Sequence, residues 1–171
     1  TTTSYLDGPG EPVRSESSFD RYDAAGNLVR HIDELGRVTS YGYDRAGRLV
    51  ETTLPDPDGA GPLPAPVTRR AWDEMGNLVA ETDGRGHATR FDYDLLNRLV
   101  RVVRPPASDQ PGEAVSVVAF AYDAMGNRIA TTDEEGGTTR YQYNSRDQVR
   151  AVTDAAGGTT RMEFDRIGNV V

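Results

Sequence analysis

The sequence predicts an all-β fold: antiparallel β-hairpin repeats of about 21 residues, two strands each, laid side by side as a curved or spiral β-sheet strip. Three observations carry this. An aromatic residue followed by Asp or Asn recurs at Tyr22-Asp23, Tyr43-Asp44, Trp72-Asp73, Tyr93-Asp94, Tyr122-Asp123, Tyr143-Asn144 and Phe164-Asp165, at spacings of 21 or 29 residues. The residues before each pair alternate apolar and polar. Asp-x-x-Gly signals divide the alternating runs at a fixed phase.

The first strand of each unit places apolar or β-branched residues two apart, as in Thr39/Tyr41/Tyr43, Thr89/Phe91/Tyr93, Val118/Phe120/Tyr122, Thr139/Tyr141/Tyr143 and Thr160/Met162/Phe164. Between them stand polar residues such as Arg90, Asp92, Arg140 and Gln142. This is the period of a half-buried strand, with an aromatic row on one face and water on the other. Arg and an acid two positions later can pair across neighbouring strands, worth a few tenths of a kcal/mol at about the level of other exposed pairs.

The strand closes on a turn running from Asp23 to Gly26, Asp44 to Gly47, Asp73 to Gly76, Asp123 to Gly126 and Asp165 to Gly168. Asp at the first position bonds the backbone two residues on, and the last position requires positive φ. Asn97 and Asp147 replace the Gly, and both types tolerate that region. A second strand opens with Asn or Arg and then Leu28-Val29, Leu49-Val50, Leu78-Val79 or Leu99-Val100. It ends on a second Asp-x-x-Gly, at Asp33 to Gly36, Asp83 to Gly86, Asp133 to Gly136 and Asp154 to Gly157.

Residues 1–18 read as a lead-in loop and 19–171 as seven repeats, with Pro-rich insertions at 55–66 and 105–113. Each insertion replaces a second turn, so Tyr22, Trp72 and Tyr122 fall 50 apart. Insertions at a fixed repeat position map to one edge of a sheet. Proline there removes ladder donors and discourages edge pairing. The expected strip has roughly fourteen strands and is about 65 Å long, from about 4.8 Å per strand. We read the chain as an excerpt of a longer polypeptide, with free strand edges that favour self-association.

Composition narrows the function classes. Only 36% of the 171 residues are hydrophobic, and mean hydropathy is −0.61, which suits a strip with one apolar face better than a large solid core. All 19 basic residues are Arg, against 27 acids, giving a net charge of −8. That balance argues against nucleic acid or an anionic membrane as partner. Zero Cys removes disulfides, thiolate metal sites and Cys nucleophiles. No apolar run approaches the length of a membrane span.

The Asp series lacks calcium-loop spacing, so no metal site is assigned. His31 and His87 lie in or beside second turns of different repeats, without metal-ligand spacing. Ser and Thr are abundant as strand formers rather than nucleophiles. The sequence therefore predicts no catalytic residue, no cofactor and no enzyme. The aromatic ladder leaves carbohydrate as a weaker partner class.

Tyr41-Gly-Tyr-Asp-Arg-Ala-Gly-Arg-Leu49 and Gly136-Gly-Thr-Thr-Arg-Tyr141 closely resemble the RHS/YD repeat, over about residues 19–171. The resemblance implies a strip that winds into a hollow shell. Such shells enclose a C-terminal toxin in bacterial polymorphic toxins and insecticidal toxin complexes, and related shells occur in teneurins. By that resemblance the chain is wall: a scaffold that encapsulates a toxin or effector, its partners being the remainder of the parent polypeptide and the enclosed cargo. The parent is expected to be secreted or displayed at the cell surface. The alternative is an extracellular adhesion or carbohydrate-binding module. No aspartyl self-cleavage segment is recognisable. Departures from the pattern are Asp20 and Arg70 at aromatic positions, and Arg128 and Arg150 in the Leu-Val pair.

Overall fold

A computed structural model describes residues 18–59, 61–106 and 114–171. All but Ser18 of the predicted lead-in at 1–18, and residues 107–113 of the second insertion, lie outside the described residues. The described chain is all β, in two compact units: residues up to Trp72 with Ala80–Ala88, and Asp73–Val79 with Thr89–Val171.

Among the described residues thirteen strands are formed. They are β1 Phe19–Tyr22, β2 Leu28–Ile32, β3 Val38–Tyr43, β4 Leu49–Thr53, β5 Val67–Trp72, β6 Leu78–Thr82 and β7 Ala88–Tyr93. The remainder are β8 Leu99–Arg104, β9 Ser116–Tyr122, β10 Arg128–Thr132, β11 Thr138–Tyr143, β12 Val149–Thr153 and β13 Thr159–Arg161. Within each unit sheet order is chain order. In the first unit β1 to β5 pair successively and antiparallel. In the second, β7 to β13 do the same. Among the described residues thirteen of the roughly fourteen expected strands form, and past β13 the pairing reduces to a single bridge, Phe164 with Val170.

Register explains the Leu-Val pairs. Tyr43 faces Leu49 while Gly42 faces Glu51, so Val50 is an extra residue on β4. The same two-for-one step places Val100 between Leu99, opposite Tyr93, and Arg101, opposite Asp92. Ile129 and Arg150 occupy equivalent positions. Each such bulge locally strengthens the right-handed twist, at a constant place beside the aromatic turn.

Burial is shallow. Among the described residues only Val102 and Ala151 are buried, each 6% exposed, and no large side chain is fully enclosed. Alternation is nevertheless clear: Phe91 and Tyr93 are half-buried while Arg90 and Asp92 are exposed, and Tyr141 and Tyr143 repeat the pattern around Gln142. A sheet with so little interior needs another source of cohesion between its hairpins.

Candidate functional site

That cohesion comes from the aromatic-end turns. In six of the seven the Asp carboxylate accepts from the backbone N–H two and four residues on, and in the seventh the side-chain oxygen of Asn144 does so. For Asp94 these are Leu96 N–H at 2.9 Å and Arg98 N–H at 3.0 Å. Its second oxygen takes the side chain of residue i+4: Arg98 Nε at 2.7 Å here, Arg48 Nε at 2.7 Å on Asp44, and Asn77 Nδ2 at 2.9 Å on Asp73. Three or more donors on one carboxylate fix the turn and favour its ionised form. Hydrogen bonds from the Arg98 side chain and backbone hold Asp94 below the usual carboxylate range. The Asn77 side chain does the same for Asp73, as does the backbone N–H of His87 for Asp83.

The closing residue sits at positive φ, +93° at Gly126, and also +58° at Asn97 and +57° at Asp147. The two non-glycine residues gain something glycine lacks. Asn77 Nδ2 donates to Asn97 Oδ1 at 3.0 Å, and Asn127 Nδ2 to Asp147 Oδ1 at 2.7 Å. Each bond joins neighbouring hairpins and offsets the backbone strain.

The aromatic itself makes the principal link. Tyr43 Oη donates to Leu28 O at 3.0 Å, Tyr93 Oη to Leu78 O at 3.1 Å and Tyr143 Oη to Arg128 O at 2.9 Å. Across the longer gaps, Trp72 Nε1 donates to Leu49 O and Tyr122 Oη to Leu99 O, both at 3.0 Å. The acceptor lies 15 residues back in the first set and 23 in the second. The difference of eight is the inserted length, so the insertions leave this ladder in phase. Arg98 adds a clamp: its guanidinium lies 4.8 Å from the Tyr122 ring centre and donates to Asp123 O at 2.9 Å. Arg48 takes the equivalent place over Trp72, at 5.9 Å.

The sequence-predicted repeat residues all fall on this edge, with different roles. Asp23, Asp44, Asp73, Asp94, Asp123 and Asp165 accept from their own turns. Gly26, Gly47, Gly76, Gly126 and Gly168 close them. Tyr43, Trp72, Tyr93, Tyr122 and Tyr143 tie hairpin to hairpin. Tyr22, in the first hairpin, is 56% exposed. Phe164 lacks a donor and forms only its bridge with Val170.

Three features escaped the sequence reading. The i+4 residue, read only as the opening of a strand, binds the first side chain of the turn: Asn or Arg donates to the Asp carboxylate, and Gln148 Oε1 accepts from Asn144 Nδ2; its signal was the restriction to Asn27, Arg48, Asn77, Arg98, Asn127, Gln148 and Asn169. The aromatic's polar tip is the second: residues closing the first strand are Tyr or Trp in six of seven units, whereas two positions earlier Phe91, Phe120 and Met162 occur. The departures are the third. Asp20 bonds His31 on the next strand at 2.7 Å, and Arg70 bonds Glu81 at 2.7 Å, so an aromatic is exchanged for a polar cross-strand pair. His31 accordingly lies on β2 just before the second turn, with Asp20 as its partner. Arg128 lies 5.8 Å from the Phe120 ring centre and 5.5 Å from that of Tyr141, covering apolar surface as the replaced Leu does.

Among the described residues no group of His, Cys, Asp or Glu is placed to hold a metal ion, and no helix is long and apolar enough to cross a membrane. Two open hollows occur 50 residues apart. One of about 600 Å³ is lined by Met75, Val79, Phe91 and Tyr93; one of about 360 Å³ by Met125, Ile129, Tyr141 and Tyr143.

The RHS repeat profile matches residues 22–59, 67–106 and 122–159, more than half of the chain. Comparison with curated proteins returned no match. Among solved structures, the crystal structure of TcdB2-TccC3-Cdc42 is similar with a TM-score of 0.68 and 17% identity, over 99% of this chain and 9% of that one. The crystal structure of TcdB2-TccC3 gives 0.68 and 18%, over 99% and 10%. A Photorhabdus luminescens Tc holotoxin pore gives 0.67 and 18%, over 99% and 9%. The chain thus spans about a tenth of the length of these neighbours, and the likeness is one of fold. Matching profile, period and hairpin geometry agree: the chain belongs to the RHS repeat family.

Proposed function

We propose that the chain is a non-enzymatic wall segment of a shell that encloses a C-terminal toxin or effector, within a larger exported protein. The observation that carries this is the ladder of Tyr and Trp donors onto preceding hairpins, which makes a thin sheet cohesive without a second layer. A wall needs that property: it must be closed to protease yet cost little volume. Support comes also from neighbours that are TcdB2-TccC3 toxin complexes. In this reading the domain plan is seven repeats from residue 19, with insertions on the edge away from the ladder, and the partners are the rest of the parent polypeptide and its cargo.

A second reading, an adhesion module that binds carbohydrate, draws on the two aromatic hollows and the half-exposed aromatic row. Limited proteolysis of the parent polypeptide, followed by denaturation and intact-mass analysis, separates the two. Encapsulation predicts a resistant shell that releases a C-terminal fragment only on denaturation. An uncleaved chain that encloses nothing and binds glycans supports the adhesion module instead.

A further inference from the structure

We propose that in the second unit the face turned away from the tyrosines docks an acidic polypeptide segment, held by Arg90, Arg140 and Arg161. The register assigns these residues to one face. Asp92 pairs with Arg101, Arg101 with Ala119, and Ala121 with Ala130, which pairs with Arg140; Arg140 pairs with Thr153 and Thr153 with Thr159. Directly paired residues share a face, and so do residues two apart on a strand. Arg90 precedes Asp92 by two and Arg161 follows Thr159 by two, so both join the set.

All three arginines are exposed, and among the described residues none has a carboxylate within ion-pair distance. In a chain with 27 acids and 19 arginines this is unexpected on numbers alone. The reason is that the acids are engaged elsewhere. The carboxylates of the aromatic-end turns are taken up by their own N–H groups and by the i+4 side chain, those of Asp133 and Asp154 accept from the backbone of Gly137 and Gly158, and Arg104 is bonded to Glu134. On the arginine face Asp92 lies 3.7 Å from Arg101, and Glu163 follows β13. The surface between carries the small side chains of Ala119, Ala121 and Ala130, which leave room for an approaching chain.

Spacing favours an extended peptide crossing the strands. Arg140 on β11 and Arg161 on β13 are two strands apart, about 10 Å; Arg90 on β7 and Arg140 are four apart, about 19 Å. At about 3.3 Å per residue these match acids separated by roughly three and six positions. The net charge of −8 opposes a long polyanion such as nucleic acid at a distance, and a few well-placed carboxylates much less. The first unit shows the same need by itself: Arg21 stands directly opposite Arg30 on the face away from Tyr41, a like-charge pair that a carboxylate relieves. This inference does not depend on whether the strip encloses a cargo.

The test is fluorescence anisotropy of the chain with a labelled oligoglutamate peptide, an oligolysine peptide of equal length and a single-stranded oligodeoxynucleotide, at low and physiological salt. The oligoglutamate is expected to bind in preference to both others. The combined substitution Arg90→Gln, Arg140→Gln and Arg161→Gln is expected to weaken binding about tenfold and flatten its salt dependence. The matched set Arg45→Gln, Arg85→Gln and Arg166→Gln makes the same charge change at turn tips and is expected to stay within about twofold. If circular dichroism shows the first set misfolded, Arg140→Gln alone decides, with an expected loss of about threefold. Absent oligoglutamate binding, equal loss in both sets, or tighter binding of the oligodeoxynucleotide overturns the proposal.

Discussion

Where a repeat has two tight turns, both are built on the same Asp-x-x-Gly type of motif with similar local hydrogen bonds, yet the ladder of aromatic donors follows only the aromatic-end turns. At Asp123 the carboxylate accepts from Met125 and Asn127, the bulge follows, and Tyr122, Arg98 and Asn127 reach into neighbouring hairpins. At Asp133 the carboxylate accepts from Gly137, and Arg104 meets Glu134 at the tip. At Asp154 the carboxylate accepts from the backbone N–H of Gly158. The same local motif therefore does two jobs, and the difference lies in what flanks it. It also explains where the Pro-rich insertions stand: they replace second turns, where lengthening the loop interrupts no inter-hairpin ladder.

Matched insertions should expose this contrast most strongly. A Gly-Ser pair between Ala124 and Met125 is expected to lower the unfolding free energy by about 2 kcal/mol or more, because turn, bulge and ladder are lost together. The same pair between Glu134 and Glu135 should cost about 1 kcal/mol, the local turn bonds plus a small loop-closure term. Urea unfolding of both variants measures the difference; equal losses break the distinction between the edges.

Tyr122→Ala comes next. It removes a half-buried ring, the bond to Leu99 O and the Arg98 stack, and is expected to cost about 2–3 kcal/mol. Asn97→Ala forces a β-carbon residue to hold φ near +58° without the Asn77 bond, for about 1–2 kcal/mol. Asn97→Gly keeps the conformation and loses only the bond, so about 0.5–1 kcal/mol is expected. Thermal melts of the two Asn97 variants sharpen how much of the non-glycine choice is hydrogen bond and how much is backbone.

Acid titration acts on both edges. Asp73, Asp83 and Asp94 have folded-state pKa values held below the usual carboxylate value, so they stabilise the fold above their unfolded pKa, near 4. That contribution is lost as pH falls through the lower folded pKa. Unfolding midpoints in urea should be flat from neutrality to about pH 5 and decline below about pH 4. A midpoint that rises on acidification contradicts the turn assignments.

Period, turn positions and strand alternation were legible because they depend on residues within one hairpin. Asp44 announces its own turn, and Asn97 and Asp147 announce a left-handed residue. The ladder was not legible in the same way, since Tyr93 and Leu78 are joined only once two hairpins lie side by side. Its trace, the preference for Tyr or Trp over Phe at the closing position, is a chemical restriction without a local explanation. Asp in the turns and Arg on the strands were legible too, but not which arginines go without a carboxylate partner, because that depends on how neighbouring strands come together.

The central claim is that the tip of the closing aromatic, and not its ring alone, holds hairpin to hairpin. Two hairpins contain their own control, because Tyr41 and Tyr141 stand two residues before Tyr43 and Tyr143, and among the described residues no hydrogen bond engages their hydroxyls. The decisive measurement compares urea unfolding of Tyr43→Phe/Tyr143→Phe with that of Tyr41→Phe/Tyr141→Phe. The account predicts a loss of about 1 kcal/mol per closing tyrosine and little change for the other pair. Equal effects in the two pairs, or none in the closing pair, contradict it.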